Sequence, residues 1–408
     1  MKDQSEKTRG SSSQLAVVAL VTVACMLLFM LNNGVRANFG LISSAVSKRS
    51  GLPEETISLA VAIAQLLYGL SQPFFGVLAL KKSNFFVLGL GGVLMGAGLL
   101  LIPLSRSAGM LILSLGLLVG LAAGALAFGV VMGAAAPAIG QRYAAAASGI
   151  INGAGGLGGA VLAPYLQGMN DHGLFSQSMI GLACAAGCAV LLCVWLGKKE
   201  RAMAADGAAE EAAPTIRDML KEAFTSSQFM HLALAFFTCG FFMAIIETYL
   251  YPQLISYGLP GGEVALLFTV YGVMGMVGPV IAGFLCSKIN PKWVLGSTYG
   301  LRPVLVLLFL LLPKTSAVVY AFVIGLGLVG NATVPATTLL ISKFFGNRKM
   351  PTLSGIAMVF HQIGSAVSTW LGDVLIRSSG GYGMIWLCGA AAAAGAALLC
   401  YTIRERRG

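Results

Sequence analysis

The chain has 408 residues, 57% of them hydrophobic and only 10% charged, with a mean hydropathy of +0.85. Soluble domains carry about 25% charged residues, so the composition excludes a water-soluble globular protein and describes an integral membrane protein. The net charge of +11 does not call for nucleic acid, because the cations sit in short segments between apolar runs, where they set membrane orientation.

Twelve apolar segments follow one another, each long enough for the roughly 20 residues that cross a bilayer. A polar tail, 1–14, precedes a six-helix bundle over 15–197. The first segment, about 15–46, carries Arg36, a permanent cation that costs about 2.5 kcal/mol or more in lipid unless it meets water or a partner. Arg36 is therefore the first candidate to hold an anionic ligand. Asn32 lies one turn earlier on the same helix face, with Asn33 and Asn38 nearby. In the second segment, 55–79, Gln65, Tyr68 and Gln72 repeat at helical spacing, and such a polar stripe must face protein or water. The third (85–104) and fourth (109–136) are apolar. The fifth (144–167) is crowded with glycine and holds Asn152; the sixth (175–197) ends the bundle.

Residues 198–226 break the pattern with an Ala- and Glu-rich run, and read as a linker with a short surface helix near Thr215–Ala223. A second six-helix bundle is expected over 227–402, ahead of a tail at 403–408. Its first segment, 228–255, carries Glu247 and a phenylalanine group (Phe236, Phe237, Phe241, Phe242) able to hold an apolar ligand body or to fill the core. A buried carboxyl without a partner holds a proton, so Glu247 is a candidate for proton coupling or for a charged gate. The eighth segment (262–286) holds Tyr271, the ninth (292–312) Arg302 near mid-depth, and the tenth (316–342) Asn331 and Thr337. The eleventh (352–376) holds His361, Gln362 and, at its far end, Asp373 as a gate or surface residue; histidine titrates near physiological pH. The twelfth spans 381–402.

An even number of spans puts both termini on one side. The opposite side holds only Lys48, Arg49, Arg106, Lys314 and Arg377 among the 26 Lys and Arg; all others except Arg36 and Arg302 lie on the side of the termini. That bias makes the terminal side cytoplasmic. Eight cysteines scatter through apolar segments as small hydrophobes and form no zinc or disulfide pattern. No nucleophile–base grouping, phosphate loop or metal cluster is present, so neither catalysis nor a cofactor is expected.

The two bundles look like copies. Gly51-Leu-Pro53 recurs as Gly258-Leu-Pro260, Gly76 as Gly283 and Lys81 as Lys288, all 207 residues on; Ser148-Gly-Ile150 recurs as Ser354-Gly-Ile356, 206 on. Parallel repeats of this kind place a ligand site between the halves near the midplane and work by alternating access.

Gly34-Val-Arg36-Ala-Asn-Phe39-Gly40, Gly51-Leu-Pro53, Gln65 and Gln72-Pro-Phe-Phe-Gly76 resemble the opening helices of bacterial major facilitator transporters. They are most similar to the branch of monocarboxylate porters and oxalate:formate antiporters. Tyr299-Gly-Leu-Arg302-Pro303 and Ser354-Gly-Ile356 with His361-Gln362 extend the resemblance over the whole chain. It implies the all-α, twelve-helix, two-repeat major facilitator fold in a bacterial inner membrane. It also implies that helices 1, 4, 7 and 10 line a central cavity. The chain departs from the pattern at Leu80, where the family places an aspartate after Gly76, and at Val277-Gly-Pro279, where the carboxylate transporters place an arginine.

The reading that follows is a secondary transporter of a small organic anion, monocarboxylate-like, coupled to protons or to a counter-anion. Arg36, Asn32, Gln65, Tyr68, Tyr271, Arg302, Asn331 and His361 are its expected substrate contacts, with Glu247, His361 and Asp373 as coupling or gate residues. The alternative is a proton-driven exporter of amphipathic or drug-like molecules, favoured by the missing helix-eight arginine, the phenylalanines and Glu247. A monomer in lipid, without nucleic-acid partners, is expected.

Overall fold

The computed structural model describes residues 2–204 and 215–403, which are helical apart from short connections. Residues 205–214 of the expected linker and 404–408 of the tail lie outside the described residues. Ten described helices are long and apolar enough to cross a membrane, and an eleventh span forms if Glu55–Leu70 and Gln72–Lys81, bent by 46°, count as one. Met350–Ser379 is 30 residues long; its serines, threonines, His361 and Gln362 lower its hydropathy, and it completes the twelve.

Short polar side chains start these helices by accepting from backbone N–H groups that have no partner in the first turn. Ser83 accepts from Phe86 N, Ser226 from Phe229 N and Thr315 from Val318 N. The ends carry the mark of duplication. Every described residue with positive φ is a glycine, and the six fall into three pairs: Gly51 and Gly258, Gly140 and Gly346, Gly173 and Gly380. Only glycine takes this left-handed conformation without strain, so three connections are closed the same way in each half.

The described chain divides into two compact units, Met1–Tyr68 with Leu78–Ala213, and Gly69–Val77 with Pro214–Gly408. In the first unit Lys2–Ala37 packs on Gln141–Asp171, and Asn84–Leu101 on Phe175–Ala204. In the second, Ser227–Ile245 packs on Met350–Ser379, Pro291–Leu311 on Gly383–Thr402, and Gly261–Lys288 on Ser316–Gly330. The close approaches correspond atom for atom. A Cβ on Gly158 would strike the Met30 carbonyl, and one on Gly364 the Phe237 carbonyl. Likewise one on Gly120 would lie 3.0 Å from the Ala64 oxygen, and one on Gly327 2.7 Å from the Tyr271 oxygen. Small residues here let backbones touch, the main source of helix attraction in lipid.

The spans are less regular than the apolar pattern suggests. The first takes in the polar tail, running Lys2–Ala37, and breaks at Asn38 before Phe39–Ser50. The fourth contains a π-helical stretch, Ile112–Val119, and breaks at Leu126–Ala127 before Phe128–Ile139. The seventh has a π turn at Ile246–Leu250, and the tenth is interrupted at Asn331–Ala332 between Ser316–Gly330 and Thr333–Phe345. The linker helix is Ile216–Thr225, with a capping box between Thr215 and Asp218. Met219 and Ala223 are buried against the second unit, and Glu222 pairs with Lys349 at 2.9 Å.

Candidate functional site

The first cluster of intramembrane polar groups surrounds Arg36, in the last turn of Lys2–Ala37. The chain breaks directly after it, and Asn38 steadies the break by donating to the Gly34 oxygen at 2.8 Å and the Gly159 oxygen at 3.2 Å. The Arg36 guanidinium lies over the Tyr68 ring, its Cζ 3.4 Å from the ring centre. Nη2 donates to Gln65 Oε1 at 3.1 Å and Nη1 to Asn33 Oδ1 at 3.4 Å. Arg36 is half-buried, and its Nε–H is enclosed with no acceptor among the described residues. Among the described residues, every group holding this cation is neutral. Amide oxygens and a π face orient a guanidinium, the ring adding about 0.5–2 kcal/mol, but they leave its charge unbalanced.

Sequence spacing put Gln65 and Tyr68 on one polar face and named Arg36 as a separate candidate on the preceding helix; the structure brings the three together with Asn33. Gln72, the third member of the polar stripe, parts from them at the bend. It is buried, and its Cβ lies 3.0 Å from where a Cβ on Gly355 would stand. Asn32 differs from expectation more sharply. It is fully buried, and its Nδ2 donates to the Ala123 and Leu126 oxygens at 3.2 and 3.1 Å. Those are carbonyls released by the break in the fourth span, so the amide braces backbone where a cavity contact was expected.

The second cluster surrounds Arg302, which is wholly buried. Its Nη2 donates to the Gly330 oxygen at 2.9 Å, the Val329 oxygen at 3.2 Å and Cys239 Sγ at 3.4 Å. The guanidinium stands 5.0 Å from the ring centres of both Phe242 and Tyr299. Cys239 in turn lies 3.2 Å from Thr333 Oγ1. The expected substrate contact is thus enclosed in protein, serving the carbonyls at the break in the tenth span.

Asn331 sits in that break and is exposed, its amide nitrogen 3.8 Å from where a Cβ on Gly275 would lie. The Tyr271 hydroxyl points to Met243 Sδ at 3.9 Å and lies 3.4 Å from a Cβ position on Gly330. His361 is half-buried, 5.1 Å from the Phe236 ring, with Nδ1 3.4 Å from Gln362 Oε1. Glu247 is exposed on the π turn of the seventh span. The side chain of Asp373 lies outside the described residues. Phe236, Phe241 and Phe242 are buried; Phe242 also meets the Trp386 ring at 5.9 Å, which makes it core. Among the described residues no three His, Cys, Asp or Glu side chains converge as a metal would need.

Cys239 and Thr333 were not singled out in the sequence, and Tyr299 entered only as part of the family resemblance. The repeat offset could have found Cys239, since 207 residues separate it from Asn32.

Residues 22–261 and 250–408 match the Major Facilitator Superfamily. An uncharacterized MFS-type transporter of Bacillus subtilis, YcxA, is 24% identical over 361 residues, covering 86% of this chain and 87% of that protein. The fold is shared with the Escherichia coli fucose:proton symporter FucP, with a TM-score of 0.73 at 15% identity over 96% of this chain and 100% of that one. It is shared also with the proton:xylose symporter XylE, at 0.72 and 13% over 96% and 97% of the two chains. A bacterial homologue of the iron transporter ferroportin gives 0.73 and 16%, over 95% and 99%. Repeated units, broken spans and these matches agree: the chain belongs to the Major Facilitator Superfamily and is a multi-pass membrane transporter, not an enzyme.

Proposed function

We propose that the protein moves a small organic anion, monocarboxylate-like, across the membrane by alternating access, with Arg36 as the group that receives it. One observation carries this reading: a half-buried guanidinium held by Asn33, Gln65 and Tyr68, all of them neutral. Such a cation is costly in lipid and gains most from an anion that arrives as cargo. Its planar fork suits a carboxylate. The resemblance of residues 34–76 to monocarboxylate porters and oxalate:formate antiporters supports the same class.

Glu247 and His361 are the proposed proton-exchanging groups, with Asp373 as a gate residue. Asn331, exposed at the tenth-span break, and Tyr271 are further proposed contacts. The charge bias of the loops supports cytoplasmic termini, and the short loops and the resemblance support a bacterial inner membrane. The proposed working form is a monomer of two bundles, 15–197 and 227–402, joined by the linker 198–226.

The test is uptake or exchange of labelled lactate, pyruvate, formate and oxalate by purified protein in proteoliposomes. Arg36→Ala should cut the rate for the accepted anion by about 10- to 100-fold, the worth of a charge-assisted contact. Normal anion transport by that variant would overturn the assignment.

A second reading, proton-driven export of amphipathic molecules, draws on a row of rings beside Glu247. Tyr251, Phe268 and Tyr271 succeed one another at 5.9 and 6.4 Å, a surface that fits an apolar or cationic body. Loss of proton-linked efflux in Glu247→Gln, with Arg36→Ala unaffected, would select it.

A further inference from the structure

Both units interrupt the same helix at the same depth, and they repair it differently. In the first unit the break at Leu126–Ala127 is held by Asn32, whose amide donates to two freed carbonyls. Position 239, 207 residues on, is a cysteine, and a thiol is too short and too weak a donor to do that work. In the second unit the donors come from the ninth span, where Arg302 reaches the Val329 and Gly330 oxygens. The residue 207 positions before Arg302 is Met95, fully buried and apolar. The register of this comparison is independently fixed. A Cβ on Gly98 meets Leu118 Cβ at 3.2 Å, while one on Gly325 meets Leu305 Cγ at 3.4 Å, the same pair of positions with the small residue exchanged.

We propose that Arg302 is a positioning residue that stands in for the missing amide at position 239, clamps the break in the tenth span, and thereby presents Asn331 for substrate recognition. Its Nη2 is occupied by backbone and thiol, and Phe242 and Tyr299 shut it from the side. The side chain is fully buried in this arrangement, with Nε and Nη1 enclosed without an acceptor among the described residues. Asn331, one residue beyond the clamped Gly330 carbonyl, is exposed. The inference stands whether or not the cargo is an anion, because the clamp acts on backbone.

The first unit supplies the test. Arg302→Met should raise hydrogen–deuterium exchange at 331–336 about tenfold by loosening the break. Adding Cys239→Asn transplants the other unit's pair, Asn32 and Met95, and should return exchange to within about twofold of wild type. Equal exchange in wild type and Arg302→Met, or no recovery in the double variant, would overturn the clamp. Uptake of labelled lactate, pyruvate, formate and oxalate separates the roles. If the double variant regains both exchange protection and uptake, with the apparent affinity restored, Arg302 acts through the break. Recovered protection with uptake still lost makes Arg302 a direct substrate contact and overturns the positioning role. Should wild type carry none of the four, the anion reading fails on its own, and exchange alone decides the clamp.

Discussion

The two intramembrane arginines mirror each other. Arg36 of the first unit has Met243 at the equivalent place in the second, and Arg302 of the second has Met95 in the first. Each unit therefore keeps one cation where its copy keeps a thioether, yet the cations do opposite things. Arg36 is half-buried and held by side chains that leave its charge unbalanced; Arg302 is sealed and bonded to backbone oxygens. Residue type alone does not assign a role to a membrane arginine. Its neighbours do: carbonyls freed by a helix break hold Arg302 through Nη2, whereas amide oxygens and a ring face aim Arg36.

The largest expected effect tests whether the units are copies in packing as well as pattern. Gly158→Leu and Gly364→Leu each drive a side chain into a carbonyl of the neighbouring helix, Met30 in one unit and Phe237 in the other. Each should cost about 3 kcal/mol or more, read as lost folded yield and lowered melting temperature. If only one substitution harms the fold, the equivalence of the units is superficial. Next in size is Arg36→Met, which copies Met243. It should remove anion transport about 10- to 100-fold while shifting the melting temperature little, since it deletes no backbone partner.

Smaller effects sharpen the linker, a feature with no counterpart elsewhere in the repeat. Glu222→Gln should destabilise its docking by less than about 1 kcal/mol, because both partners of the Lys349 pair are partly exposed and such pairs are worth little. Glu222→Lys with Lys349→Glu should restore wild-type exchange in Ile216–Thr225. Smallest is the cap at Asp218, whose carboxylate accepts from the Thr215 hydroxyl and backbone N–H, which hold its pKa below the usual carboxylate range. A depressed pKa means that the cap is intact above about pH 4. It weakens only as pH falls through the lower folded value. Exchange of the first turn of Ile216–Thr225, taken relative to its intrinsic rate at each pH, should stay flat from pH 8 to about 4 and rise below that. A rise centred near pH 6 would contradict the cap.

Much of the fold was legible because lipid leaves few choices. Twenty apolar residues must be a helix when no water can satisfy their backbone, and Gly51-Leu-Pro53 repeating at 258–260 announced the duplication before any coordinate. The breaks were not legible. Leu126–Ala127 carries neither proline nor a polar side chain, and its partner Asn32 lies on a different helix, so the signal is a contact and not a local pattern. For the site, spacing marked Gln65 and Tyr68 as one polar face, and the cost of a cation in lipid marked Arg36. The same logic did not foresee the backbone partners of Asn32 and left Arg302 open, since hydropathy registers that a polar group needs company and says nothing about whether backbone or cargo provides it.

The interruption at Asn331–Ala332 also bears on mechanics. An unbroken helix behaves as one lever, and tilting either end moves the other. The tenth span is two rods instead, 15 and 13 residues long, about 22 and 20 Å at 1.5 Å per residue. The two rods also pack on different neighbours, Ser316–Gly330 chiefly on Gly261–Lys288 and Thr333–Phe345 on Pro291–Leu311, so the break divides one span between two packing environments.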